Sequence, residues 1–332
     1  MPRYLLIVKL VLSLGLVAVL LWFVDWRESL AHLAGASAGW IALALLVNVS
    51  ALALSAWRWR ALLGLITPGI PFVAALRYYW IGAFFSSMLP SSVGGDAVRL
   101  ALARRAGGTG PVAASILVER ATGLAVLVAL AAGSALAAPN LVRGDWLAAT
   151  AGVAFLVLAL AAAVLLAARS RVASTVASWL PRAAAAKVGK ALAELTAALT
   201  AYRRERRALV ATCLVSVAYN GFLALFQYLT IRAVGGQMDL SVALLVTPLV
   251  MLIHGLPVTI AGIGLSEGAF VVLYGYAGLA PEIALAAALL RRLLVTLVAL
   301  VGGALWAAPD DTGSRPARTA GEEQRQSLGD QY

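Results

Sequence analysis

The chain has 332 residues, of which 62% are hydrophobic and 12% charged, and its mean hydropathy is +0.91. A soluble protein would carry about 45–50% apolar residues and roughly a quarter charged residues, so the composition excludes a soluble enzyme or binding module. It predicts an all-α, polytopic helical membrane protein. The net charge of +11 comes from basic residues that lie between apolar runs. We interpret them as topology signals and expect no nucleic-acid partner.

Six apolar runs are long enough to cross a hydrocarbon core of roughly 30 Å. They cover residues 4–24, 40–57, 111–138, 146–168, 208–231 and 282–308. The first run is too long for the apolar region of a signal peptide. The second ends in Trp57-Arg58-Trp59-Arg60, and aromatic and basic residues at the end of a span are typical of a cytoplasmic interface. The sequence therefore predicts about six full spans in a membrane domain of residues 1–308, followed by a polar, disordered tail, 309–332.

Two further apolar stretches, 76–105 and 240–278, are interrupted by proline and glycine. The breaking residues are Pro90, Gly94, Gly95, Pro257, Gly262 and Gly264. Segment 169–207 has nine basic residues against two acidic ones, which places it in the cytoplasm by the positive-inside rule. Counting spans from that segment and from the N-terminus places both ends of the first stretch inside. If the C-terminal tail is cytoplasmic, both ends of the second stretch lie outside. Each stretch is therefore predicted to be a re-entrant hairpin, and the two hairpins enter the membrane from opposite faces.

The same count predicts cytoplasmic N- and C-termini in a bacterial-type cell membrane. Within 169–207, apolar residues recur at helical spacing, which predicts an amphipathic helix. These residues are Val188, Leu192, Leu195 and Leu199. Such a helix would lie on the anionic inner leaflet, or it would pack as a surface helix of the protein.

The two interrupted stretches suggest an internal repeat. The distance from the proline to the glycine of each break is five residues in both stretches. The next long span begins at a proline, and an arginine follows after nine residues in the first half (Arg120) and ten in the second (Arg291). Broken helices in two inverted halves are typical of transporters whose substrate site lies near the bilayer midplane. The alternative is coincidence in a chain rich in Ala, Leu and Gly.

Seven charged residues lie at the breaks and in the helices behind them, and a charge at the centre of a membrane costs about 2.5–3.5 kcal/mol. They are Asp96, Arg99, Glu119, Arg120, Glu267, Arg291 and Arg292. Four cations against three carboxylates leave one excess positive charge. Excess arginine beside free backbone amides favours a phosphate or another anionic headgroup, so we predict that these residues bind a membrane lipid. Structural ion pairs that join the two halves are the alternative.

Neighbouring residues on a helix point about 100° apart, so Glu119 and Arg120 must each pair with another element. For the second half we expect a pair such as Glu267 with Arg292.

No catalytic, metal or cofactor site is predicted. Residues 264–268 fit the G-x-S-x-G pattern of a nucleophile elbow, but no histidine follows the serine along the chain. Two histidines and one cysteine give no transition-metal site, and His254 is expected to be a packing or hydrogen-bonding residue. An aromatic group after the start of the first hairpin is interpreted as an interfacial belt, and the alternative is that it lines a path for the lipid. It comprises Tyr78, Tyr79, Trp80, Phe84 and Phe85.

Several of these motifs resemble one family. They are Gly82 … Leu89-Pro90 … Gly94-Gly95-Asp96 … Arg99, then Glu119-Arg120, and later Pro257 … Gly262-Ile263-Gly264 … Glu267. Together they resemble the lysylphosphatidylglycerol synthase transmembrane region, or flippase-like domain, family. The resemblance implies transport of an aminoacylated phospholipid that a separate soluble domain makes in larger members. No such domain follows the membrane part in this sequence, so aminoacyl transfer is not expected.

The leading hypothesis is therefore a lipid flippase for an anionic or phosphate-bearing lipid, including amino-lipids, and the resemblance extends this to polyprenyl-linked lipids. One alternative is a membrane enzyme or accessory subunit in lipid-phosphate glycosyl transfer or a hopanoid pathway. Its general base would be Asp96, Glu119 or Glu267. Another is a non-transporting scaffold that binds a lipid-modifying enzyme through segment 169–207.

Overall fold

The computed structural model describes residues 3–67, 70–88, 94–137, 197, 200–202, 205–256 and 258–308. Their regular structure is helical, which confirms the predicted all-α class. The helices are α1 Arg3–Phe23, α2 Trp26–Ala34, α3 Ala38–Leu63, α4 Phe72–Met88, α5 Gly94–Gly107, α6 Thr109–Ala137, α7 Arg206–Ala233, α8 Leu240–His254, α9 Leu265–Tyr276 and α10 Pro281–Ala307. A 3-10 turn, Ile260–Gly262, lies between α8 and α9. The predictions for span 146–168, for the amphipathic residues 188–199 and for tail 309–332 concern residues outside these ranges.

Four of the described helices, α3, α6, α7 and α10, are long and apolar enough to cross a membrane. Helices α1 and α2 meet at a bend of 87° and together form either a fifth, broken span or a re-entrant loop. The bend occurs at Asp25, whose Oδ1 accepts hydrogen bonds from the backbone N–H groups of Arg27 (2.9 Å) and Glu28 (3.2 Å) and so caps α2. The chain is therefore a multi-pass helical membrane protein.

The two predicted hairpins correspond to pairs of shorter helices. Helices α4 and α5 contact each other and cover the stretch predicted at 76–105; α8, the 3-10 turn and α9 cover 240–278. Helices α5, α8 and α9 have 14, 15 and 12 residues, fewer than the roughly 20 that a full span needs. That each pair is a re-entrant hairpin, and the face from which it enters the membrane, stay predictions.

Two apolar cores hold these pairs in place. The larger core joins α7, α8, α9 and α10 around Phe226, Phe270 and Tyr274. The smaller core joins α3, α4, α5 and α6 around Trp59 and Tyr78. Helices α6 and α7 also contact α8, and α10 contacts α4. Each broken pair is thus embedded in its own core, and long helices connect the two cores.

Helices α4 and α5 approach each other closely at two glycines. A Cβ atom at Gly95 would overlap the carbonyl oxygen of Gly82 and the hydroxyl of Ser86. We expect Gly95→Ala to lower the free energy of unfolding by about 1–3 kcal/mol, because the added methyl group forces the helices apart. Thermal unfolding in detergent measures this. The control is Gly133→Ala in α6, where a Cβ would meet nothing within 4 Å; an equal loss in both variants would contradict the prediction.

Helix α3 continues through the aromatic and basic cluster that follows the predicted span 40–57. Arg58 is 7% exposed and Trp59 is fully buried, and the Trp59 indole donates a hydrogen bond to Ser115 Oγ at 3.0 Å. These two residues therefore pack inside the helix bundle, and the position of this end of α3 at a cytoplasmic interface stays a prediction. Because α3 has 26 residues and is about 39 Å long, its last turns extend beyond the apolar run and pack against α6 and α7.

Three members of the predicted aromatic belt contact other helices. Tyr78 is 2% exposed, and the indole N–H of Trp80 donates to the carbonyl oxygen of Val298 at 2.6 Å. Tyr79 donates its hydroxyl to Glu119 at 3.1 Å. These contacts form because α4 packs against α3, α5 and α10. The position of the rings at a membrane interface stays a prediction.

Candidate functional site

Glu119 is the centre of a buried polar cluster in the first half. Its Oε1 accepts hydrogen bonds from Arg58 Nη2 and from the hydroxyl of Tyr79, both at 3.1 Å. Its Oε2 accepts from Arg99 Nη2 at 2.7 Å. The four residues lie on α3, α4, α5 and α6, and Glu119 is 2% exposed. One carboxylate thus joins four helices, and Arg58, which also donates to Ser216 Oγ at 2.6 Å, extends the cluster to α7.

Arg99 contacts two aromatic rings. The centroids of Trp59 and Tyr79 each lie 4.3 Å from Arg99 Cζ, which is the geometry of a cation–π contact. The side chain passes Gly82, where a Cβ would overlap it. Arg99 Nη1 donates to Asp96 Oδ1 at 3.2 Å. Because it is 4% exposed and its Nη atoms bind two carboxylates, Arg99 positions Glu119 and Asp96.

Asp96 lies in the first turn of α5 and binds Arg120 of α6. Its Oδ2 accepts from Arg120 Nε at 2.9 Å, and Arg120 Nη2 lies 2.8 Å from the same oxygen. The Arg120 side chain is 58% exposed, so it has surface left for another ligand. Glu119 and Arg120 therefore find their partners on other helices, as predicted.

Glu267 and Arg292 hold the second break. Glu267 Oε2 accepts from the backbone N–H of Gly264 at 2.8 Å, and its Oε1 accepts from Arg292 Nε at 2.6 Å, which confirms the predicted pair. The Arg292 Nη atoms donate to the carbonyl oxygens of Ala261 (3.3 Å) and Gly262 (3.2 Å). Ala261, Gly262 and Gly264 have φ values of 49°, 71° and 80°, so the chain is left-handed here, which two glycines permit.

The two halves share one arrangement. The helix after each break carries a carboxylate in its first turn, where the helix dipole favours negative charge. That carboxylate binds an arginine of the next long helix, 24 residues later for Asp96 and Arg120 and 25 residues later for Glu267 and Arg292.

Arg291 differs from the other arginines of the site. It is 7% exposed and donates from Nη2 to Ser266 Oγ at 2.5 Å, but no carboxylate of the described residues lies within 4 Å of it. Its Nε atom is buried and has no hydrogen-bond partner among those residues. A buried cation without a counter-charge is unfavourable, which makes Arg291 a candidate for binding an anion.

A cavity of about 640 Å³ lies between the two clusters. Its polar lining comprises Arg58, Tyr79, Ser86, Ser87, Glu119, Arg120, Tyr219, Asn220, His254, Arg291, Arg292 and Thr296. Its apolar lining comprises Leu124, Leu127, Leu223, Met251 and Val295. Four of the seven predicted charged residues reach this cavity. The other three, Asp96, Arg99 and Glu267, do not line the cavity. They bind the lining arginines or Glu119.

Sequence reasoning gave Arg58 and Ser13 no part in the site, and it gave Tyr79 one only as the alternative to an interfacial belt. Arg58 follows an apolar run, which is typical of a membrane interface. Ser13 of α1 accepts a hydrogen bond from the backbone N–H of Ile260 at 3.0 Å and so supports the second break. A single serine inside an apolar run gives no signal for that contact. Of the predicted breaking residues, Gly94 and Gly95 open α5, while Pro90 and Pro257 lie outside the described ranges.

Apolar spanning helices, two interrupted helix pairs and a buried arginine–carboxylate site define a multi-pass membrane protein with a polar cavity inside its helix bundle. Residues 6–303 match the lysylphosphatidylglycerol synthase TM region family, and the chain belongs to that family. The match covers every residue of the site and confirms the resemblance seen in the sequence. No curated protein matches the chain.

Proposed function

We propose that the protein is a lipid flippase that moves an anionic or phosphate-bearing lipid between the two leaflets. The observation that carries this proposal is the cavity of about 640 Å³, whose lining contains four arginines together with leucine, methionine and valine side chains. Guanidinium groups bind phosphate through pairs of parallel hydrogen bonds. Apolar side chains beside them suit the first part of the acyl chains, so the lining matches an amphiphile in both of its parts.

The equivalent ion pairs of the two halves support a transport mechanism. Transporters built from inverted repeats bind substrate between the halves at interrupted helices, and alternate between two open states around that site. In this chain the cavity contacts both halves, and each half has a carboxylate–arginine pair at its break. We place the protein in a bacterial-type cell membrane with both termini in the cytoplasm. Segment 169–207 would bind the anionic inner leaflet or a lipid-modifying enzyme.

The carboxylates of the site favour a carrier over a membrane enzyme. A general base needs an oxygen that can take a proton from the substrate. Asp96, Glu119 and Glu267 each accept hydrogen bonds from arginine instead. Their arrangement keeps the arginines in place, which serves binding rather than proton transfer.

Reconstitution into liposomes tests the proposal. With an acyl-chain-labelled anionic phospholipid in both leaflets, an impermeant quencher removes the outer half of the signal. We expect the inner half to be lost faster in vesicles that contain the protein than in vesicles without it. If the rate with the protein equalled the rate without it for every anionic lipid tested, the proposal would be contradicted.

A further inference from the structure

We propose that the headgroup bound in this cavity carries two negative charges, as in a terminal phosphate monoester, rather than the single charge of a phosphodiester. This rests on the proposed function and names its substrate class. The site contains five arginines, since Arg58 joins the four predicted from the sequence, and three carboxylates. Among the described residues, the site therefore has two excess positive charges instead of the single one counted from the sequence.

The two excess charges lie in different halves. Asp96 is matched by Arg120, and Glu267 by Arg292, so these two pairs are neutral. Arg58 and Arg99 share the single carboxylate Glu119, which leaves one excess charge in the first half.

Arg291 supplies the second excess charge, since no described carboxylate lies within 4 Å of it. Arg58 and Arg291 both line the cavity, and the Nε atom of each is buried without a hydrogen-bond partner in the described part of the chain. Both therefore retain hydrogen-bonding capacity.

Charge balance decides which headgroup fits. Charges removed from water are favourable only when they are matched, so a bound headgroup should neutralise the site before the lipid crosses. A phosphate monoester does so, because nearby guanidinium groups favour its second ionisation and it offers three acceptor oxygens. A phosphodiester leaves one positive charge unmatched. An aminoacylated phospholipid adds ammonium groups to a site that already has excess positive charge.

The test compares lipids that differ only in the headgroup. Liposomes containing the full chain receive acyl-chain-labelled phosphatidic acid or phosphatidylglycerol with identical chains, and a third set is loaded with inorganic phosphate. We expect phosphatidic acid to cross at least about tenfold faster than phosphatidylglycerol, each corrected for empty vesicles, since a charge-assisted contact is lost with the diester. Equal rates for both lipids would overturn this inference and leave the proposed function standing. Movement of inorganic phosphate alone, or of nothing, would overturn both.

Arg291→Gln tests the charge count directly. Because Arg291 pairs with no described carboxylate, the variant leaves no described carboxylate without its partner and is expected to fold. Thermal unfolding measures this. The preference for phosphatidic acid should fall at least about threefold, as one matched charge is lost. Arg27→Gln, at an exposed position in α2, is the control and should keep the full preference. An unchanged preference in folded Arg291→Gln would overturn the inference.

Discussion

Replacing Glu119 with glutamine is expected to lower the free energy of unfolding by about 3–5 kcal/mol, the cost of removing one partner of a buried ion pair. Glu119 is the carboxylate that Arg58 and Arg99 share, and both arginines are buried. The glutamine keeps the size of the side chain but not its charge. Arg58 then has no carboxylate within 4 Å among the described residues, and Arg99 has only Asp96. Thermal unfolding in detergent and the yield of monodisperse protein measure the effect.

The matched control is Glu28→Gln in α2, whose side chain is 60% exposed and lies 4.0 Å from His32. An exposed pair of this kind contributes at most about 1 kcal/mol, so this variant should unfold close to the wild type. A loss in Glu119→Gln no larger than in the control would mean that the cluster contributes little to stability.

Arg120→Ala is expected to slow lipid movement by about ten- to a hundredfold, because a charge-assisted hydrogen bond to a phosphate contributes about 1.5–3 kcal/mol. Unfolding should change much less than in Glu119→Gln. The Arg120 side chain is 58% exposed, and Asp96 keeps its contact with Arg99 at 3.2 Å after the substitution. Transport in liposomes and thermal unfolding of the same preparations separate the two effects.

Arg27→Ala provides the comparison for Arg120→Ala, since Arg27 is an exposed arginine outside the cavity. It should leave transport unchanged. If both substitutions slowed transport equally, the positive charge of the whole protein, and not the cavity, would control lipid movement.

Apolar run length was enough to predict the helical class and the positions of the described long helices, because a span needs about 20 apolar residues whatever it packs against. The positions of the two interruptions could be predicted for a similar reason. Proline and glycine end a helix through local backbone geometry, and α4, α5, α8 and α9 begin and end near these residues. Glu267 and Arg292 could be paired because so few opposite charges lie inside the membrane part.

The partners of single side chains could not be predicted from the sequence in the same way. Arg58 follows an apolar run, and that position is typical of a membrane interface. The length of α3 and its contacts with α6 and α7 bury the side chain against Glu119, 61 residues later. The contact of Tyr79 could not be predicted for the same reason, since its hydroxyl partner lies 40 residues away. Only tertiary packing identifies such partners, and the charge balance of the site depends on them.

The contacts of Arg292 also constrain the order in which the chain is assembled. The carbonyl groups of Ala261 and Gly262 are bound by a side chain 30 to 31 residues further on. During synthesis, the second break leaves the ribosome before Arg292 does, and the non-glycine residue Ala261 adopts a left-handed conformation that local preferences disfavour. The hydrogen bonds that Arg292 donates to the break can therefore form only once α10 has been synthesised, so the last described helix completes the site.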